Sequence, residues 1–105
     1  MIKVKAVSKG NYLQKIEIKG HANFDVYGHD LVCAGVSSIT FGTLNALDKM
    51  ASDSVNLIVN NKITIEVKNL LDEKVQIILQ TMMIQLDTIK EQYSNYIEIK
   101  QEVSS

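Results

Sequence analysis

A chain of 105 residues with eleven lysines, no arginine and twelve acidic residues has a net charge of -1, and its lysines fall singly along the sequence. That pattern lacks the clustered, arginine-bearing basic face of a nucleic-acid binder, so no direct nucleic-acid partner is expected. Hydrophobic residues make up 46% and charged residues 22%, enough for one core in one domain. No uninterrupted run reaches the roughly eighteen apolar residues of a membrane span, so no membrane partner is expected either.

The N-terminal MIKVKAVSKG alternates like a strand and lacks the apolar segment and cleavage site of a signal peptide, which predicts a cytoplasmic protein. Ile2, Val4 and Ala6 alternate with Lys3 and Lys5. Beyond the turn signal Ser8-Lys9-Gly10-Asn11, the residues Tyr12, Ile16 and Ile18 alternate with Lys15, Glu17 and Lys19. A β-hairpin with one wet face is predicted, ended by Gly20.

From Asp30 to about Ser52 the period becomes helical, with Val32, Val36, Ile39, Ala46, Leu47 and Met50 on one side. Val55 to Val59 and Ile63 to Val67 are a second pair of strands, joined through Asn60-Asn61-Lys62. Asp72 can cap a second helix whose stripe is Val75, Ile78, Leu79, Met82, Leu86 and Ile89, running to about Tyr93. Ile97 and Ile99 suggest a short last strand before a polar, frayed tail over 101–105. The order ββαββαβ predicts one α+β domain over 1–100, with a mainly antiparallel sheet packed with two long helices.

Chemistry concentrates in Gly20 to Ser38, GHANFDVYGHDLVCAGVSS, which holds both histidines and the single cysteine. One cysteine cannot form an internal disulfide. Cys33 falls within the first turn of the predicted helix, where unpaired amides and the macrodipole favour a thiolate. His21, at the end of the second strand, could be folded back to it as a base. Asp30, Cys33 and Ser37 fall on one face, predicted to lie largely opposite the Val32, Val36 and Ile39 stripe. Asp30 reads as a helix N-cap or as the group that orients His21; Ser37 as a partner of the thiolate or of its own helix backbone. The alternatives for Cys33 are a buried, inert side chain or, with His21 and His29, an incomplete zinc site that matches no common ligand spacing. Neither a metal nor another cofactor is expected.

The pattern Gly20-His21-Ala22, a short loop, then Gly28-x-Asp30-x-Val32-Cys33-Ala34-x-Val36-Ser37 resembles the ribosomal-processing cysteine protease Prp family. The likeness extends over the whole chain in length and element order, and its specific motif occupies the first third. The resemblance implies a catalytic dyad of His21 as general base and Cys33 as nucleophile, with supporting roles for Gly20, Asp30 and Ser37. It also implies a homodimer, and a substrate that is a ribosomal protein precursor. That precursor would lose a short N-terminal extension of a bacterial large-subunit protein, cut after two phenylalanines and before an alanine.

Two expectations follow from the residues themselves. The loop between His21 and Cys33 reads as a lid, with Phe24 and Tyr27 able to hold an apolar side chain, or as a plain exposed loop. Phe41 and Leu44 fall on the side of Cys33, so the first helix is apolar on two sides and a symmetric dimer is expected to cover the second. The rival reading from another class is a non-catalytic, ribosome-associated binding module in which Cys33 is only packed.

Overall fold

The computed structural model describes residues 1–20 and 29–104, with side chains of the first helix described from Leu31 onward. Strands β1 (Ile2–Lys9) and β2 (Tyr12–Lys19) form the predicted hairpin, turning at Gly10, whose φ of 59° suits a residue without Cβ. Helix α1 (His29–Ala51) ends in a 3-10 turn over Ser52–Ser54 and leads into β3 (Val55–Val59) and β4 (Ile63–Val67). Helix α2 (Glu73–Gln92) and β5 (Ile97–Val103) complete the predicted ββαββαβ order. The Asp72 cap is present: its Oδ1 accepts the backbone N–H of Lys74 at 3.0 Å.

The five strands lie in the order β3-β4-β2-β1-β5. Three pairings are antiparallel, and β1 with β5 is parallel, because α2 carries the chain back across the sheet. The last strand is longer than its alternation predicts. Gln101, Glu102 and Val103 pair with Ala6, Val7 and Ser8, and Ser104 N–H donates to Ser8 O at 2.7 Å. The polar stretch from Gln101 to Ser104 is therefore strand and its bonded end, not a frayed tail. The backbone edge of β1 supplies the partners that side-chain polarity hides.

Register aligns the buried side chains in rows: Val4 with Ile18 and Ile18 with Ile63, Ala6 with Ile16 and Ile16 with Ile65. That face is covered by both helices and the other is polar, a two-layer α+β arrangement. Helix α1 packs over the β3 side of the sheet and α2 over β2 and β5. The helices run antiparallel. Gly35 near the start of α1 lies against Ile89 near the end of α2, and a Cβ at Gly35 would come within 3.2 Å of the Ile89 Cδ1.

Helix α2 buries Val75, Leu79, Met82 and Leu86 as its stripe predicts. On α1 the predicted stripe is rotated. Thr40, Thr43 and Leu44 are buried with Val32, Val36 and Leu47, while Met50 is 54% exposed. By length and composition, Leu31–Ser54 is also apolar enough to cross a membrane. Here Val32, Val36, Leu44 and Leu47 build it into the core between the sheet and α2.

Candidate active site

The first element of the site is Gly20, at the end of β2. Its φ is 84°, and a Cβ there would collide with the carbonyl oxygen of Met1 on the neighbouring strand. Only glycine combines that backbone conformation with so close an approach, which is a physical reason for a glycine immediately before His21. His21 itself, with Phe24 and Tyr27, lies outside the described residues.

The start of α1 lies at the same end of the sheet. Gly35 touches Ile89, the Tyr93 amide bonds Ile89 O at 2.9 Å, the Tyr96 amide bonds Tyr93 O at 2.9 Å, and Ile2 N–H bonds Tyr96 O at 2.9 Å. Ile2 and Met1 in turn lie against Gly20. A continuous set of contacts therefore ties the first turns of α1 to the point where β2 ends.

Cys33 is the fifth residue of α1, since the helix begins at His29 rather than Asp30. Asp30 is then the second residue of the helix. The Cys33 amide is already within reach of the helical ladder, while the amides of the helix's first three residues, 29–31, have no intrahelical acceptor. Their partial positive charge lies just ahead of the thiol.

Cys33 is half-buried and packs against the core cluster, one turn from the half-buried Ser37. It lies beside the buried stripe of α1 and not largely opposite it, because Thr40 and Leu44 widen that stripe towards it. Counting about 100° per residue, Gly35, Ile39, Gly42 and Ala46 point one way, and Cys33, Ser37 and Leu44 the other. The first flank faces α2, across a groove of about 500 Å³ that also contains Ile77, Ile78 and Thr81. Among the described residues no titratable side chain lines that groove, and by the helical count Cys33 points away from it. The Cys33 flank therefore faces away from α2.

Sequence reasoning misses Thr40 beside this flank. It is 1% exposed, and its hydroxyl has no hydrogen-bond partner among the described residues. Thr43, Thr81 and Thr88 instead bond the carbonyl four residues earlier, at 2.7, 2.7 and 2.9 Å. Nothing in its spacing separates it from an ordinary surface threonine.

The chain matches the family model described as Cysteine protease Prp over residues 1–98. It is 36% identical over 83 residues to the ribosomal processing cysteine protease Prp of Staphylococcus aureus, a match covering 76% of this chain and 78% of that protein. Two solved structures of an essential ribosomal processing protease Prp from S. aureus are similar throughout. One, in complex with a substrate peptide, has a TM-score of 0.89 at 30% identity, covering 96% of this chain and 99% of that one. The other, with a covalently linked product peptide, has a TM-score of 0.86 at 31% identity and the same coverage.

Proposed function

Since the chain belongs to the Prp family of ribosomal processing cysteine proteases, we propose that Cys33 is its nucleophile, His21 its general base, and an N-terminally extended ribosomal protein its substrate. The observation that carries this reading is the placing of a half-buried thiol, in the second turn of a helix, at the sheet end where Gly20 precedes His21 in the chain. A non-catalytic module needs no such juxtaposition.

The chemistry follows in two balanced halves. His21 takes the thiol proton, and the Cys33 sulfur attacks the scissile carbonyl carbon to give a tetrahedral adduct. The C–N bond then breaks, the leaving amine takes the proton from the imidazolium, and a thioester remains. Water, deprotonated by His21, attacks the thioester; the C–S bond breaks and the thiolate is restored. Helix-start amides are suited to hold the oxyanion. Asp30, Ser37 and Gly20 support the dyad. Phe24 and Tyr27 hold the apolar residues next to the cut, the Phe-Phe-Ala motif of a large-subunit protein extension. The protein acts in the cytoplasm as a homodimer.

Mass analysis of a peptide carrying that extension tests the reading. The wild type is expected to cleave once, after the second phenylalanine. Cys33→Ala and His21→Ala are each expected to abolish cleavage with the fold intact, since nucleophile and base act as a unit. Substantial turnover by the Cys33→Ala protein overturns it.

A further inference from the structure

One face of the sheet is covered by the helices and the other is bare, and charge is divided unevenly between the two layers. The strands and the residues directly flanking them hold eight lysines and four glutamates. The helices, the 3-10 turn and their flanking residues hold three lysines and seven acids. A net charge of -1 therefore conceals a basic layer and an acidic one.

Lysines that stand apart in the sequence are brought together by strand register. Lys3 is opposite Lys19 across β1 and β2, and Lys5 is beside Lys100 across β1 and β5. All four are exposed, and strand alternation puts them on the bare face because Val4 and Ile18 are buried on the other. They ring a hollow of about 250 Å³, lined besides by Val4, Glu17 and Glu98. Like charges in directly opposite positions, about 5 Å apart at Cβ, weaken a sheet. This register sets two such pairs side by side.

The neighbouring carboxylates leave most of that charge unmatched. Glu17 is engaged by Lys62 and, at 3.5 Å, by Lys15, while Lys5 pairs with Glu102 at 3.5 Å. Glu98 is half-buried and level with Lys3 in register, but makes no ion pair with it. Among the described residues Lys3, Lys19 and Lys100 have no ion-pair partner.

The kind of partner follows from what the hollow lacks. Protein interfaces have an apolar centre depleted in lysine and glutamate, and a membrane-bound face adds an apolar anchor to its basic residues. Here Val4 is the one apolar residue among seven. A polar, strongly positive surface is what a nucleic acid meets.

We infer that the bare face of the sheet, at the hollow ringed by Lys3, Lys5, Lys19 and Lys100, docks the phosphate backbone of RNA. Lysine holds a phosphate as a point charge, and the hollow has neither arginine nor an aromatic ring with which to read or stack bases. Binding is therefore independent of base sequence and steeply dependent on salt. RNA is chosen over DNA because the substrate proposed above is a ribosomal protein, which is built onto RNA; in that respect alone the inference rests on that reading. The expectation of no nucleic-acid partner came from lysines scattered in sequence, and strand pairing gathers four of them.

Fluorescence anisotropy of a labelled single-stranded RNA of mixed sequence tests the inference with two matched triple variants. Lys3→Gln, Lys19→Gln, Lys100→Gln and Lys49→Gln, Lys74→Gln, Lys90→Gln remove the same charge, the first from the bare face and the second from the helices. For the wild type, log K is expected to fall by about 3 per decade of salt, as for four phosphates at ~0.7 each. The bare-face variant is expected to bind at least about tenfold more weakly at low salt, with a slope near ~0.7, and the helix variant within about twofold of wild type. The bare-face variant should melt no lower than wild type, since Lys3 and Lys19 no longer oppose each other, so weaker binding is not unfolding. Equal weakening by both triples makes net charge the cause and overturns the inference. No binding by the wild type at low salt, or tighter binding to DNA of the same length, overturns it too. Self-association without RNA binding, lost only in the bare-face variant, assigns the face to the acidic helices of a second copy and does the same. Cleavage of the extension peptide is expected to be unchanged in both triples, because Cys33 is on a helix and the helices cover the other face. A wild type that binds RNA through these lysines and cleaves nothing loses the protease reading and keeps this one.

Discussion

Gln76 holds Leu13 as a neighbouring strand would. Its Oε1 accepts the Leu13 N–H at 2.8 Å while its Nε2 donates to Leu13 O at 2.9 Å, and Nε2 also reaches Leu70 O at 3.2 Å. The side chain is on a helix and only 6% exposed, so this amide ties the first turn of α2 to the start of β2. Gln76→Leu would leave the Leu13 N–H and C=O without that partner in a largely buried setting. The expected loss is about 2–3 kcal/mol, seen as a lower urea midpoint with an unchanged m-value. A midpoint equal to wild type contradicts this role.

A second tie joins the end of the 3-10 turn to the cap of α2. Ser54 Oγ donates to Asp72 Oδ2 at 2.6 Å, and chiefly this bond holds the Asp72 carboxyl below its ordinary value of 3.8. A carboxyl lowered in the folded state contributes stability that is complete above its unfolded value and is lost as pH falls through the folded one. Wild-type stability is therefore expected to drop as pH falls below about 4. Ser54→Ala and Asp72→Asn should each flatten that part of the curve, although asparagine still caps the helix. Glu17, lowered mainly by its hydrogen bond from Lys62, adds to the same acid limb, so neither variant should abolish it. Denaturant midpoints measured through the acid range check this; unchanged curves in both variants would count against it.

Much of this architecture is legible in the residues because each element has one wet side. Lys3 and Lys5 leave Ile2, Val4 and Ala6 no choice of face, and Val75, Leu79, Met82 and Leu86 leave α2 none. Helix α1 is different. Apolar residues and threonines nearly surround it, so a periodicity argument cannot choose between Met50 and Leu44 for the core. The sheet chooses Leu44 and leaves Met50 exposed. The parallel partnership of β1 and β5 is equally hidden, since it depends on where α2 returns the chain. Cys33 and Gly20 stand out as chemistry and as turn, yet the direction Cys33 faces follows only from α2 occupying the other flank.

Gly20 offers a sharper test of how the site is entered. A residue with Cβ at a φ of 84° has a conformational cost of about 1–2 kcal/mol, before the collision with the Met1 carbonyl is counted. Gly20→Ala is expected to lower the melting temperature by several degrees. It should reduce kcat far more than that loss explains, because His21, the proposed general base, directly follows it in the chain. Equal proportional losses under conditions where both proteins are fully folded would mean the glycine serves only the fold.

The expected second apolar side of α1 changes character once its burial is known. Leu44 is 8% exposed and belongs to the core cluster, whereas Phe41 is 44% exposed beside it. An aspartate at position 44 would place a carboxylate in the core at a cost of several kcal/mol, so a Leu44→Asp variant reports on folding and says nothing of association. Phe41→Asp alone is the informative change. If a symmetric partner covers this flank, the wild type should sediment as a dimer at micromolar concentration and Phe41→Asp as a folded monomer. The melting temperature of the variant should then lose its dependence on protein concentration. A wild-type monomer removes the dimer from this face, and a variant that remains dimeric moves the interface elsewhere. Phe41 is then left to the substrate, and its replacement should raise KM for peptides with phenylalanine next to the cut more than for those with alanine there.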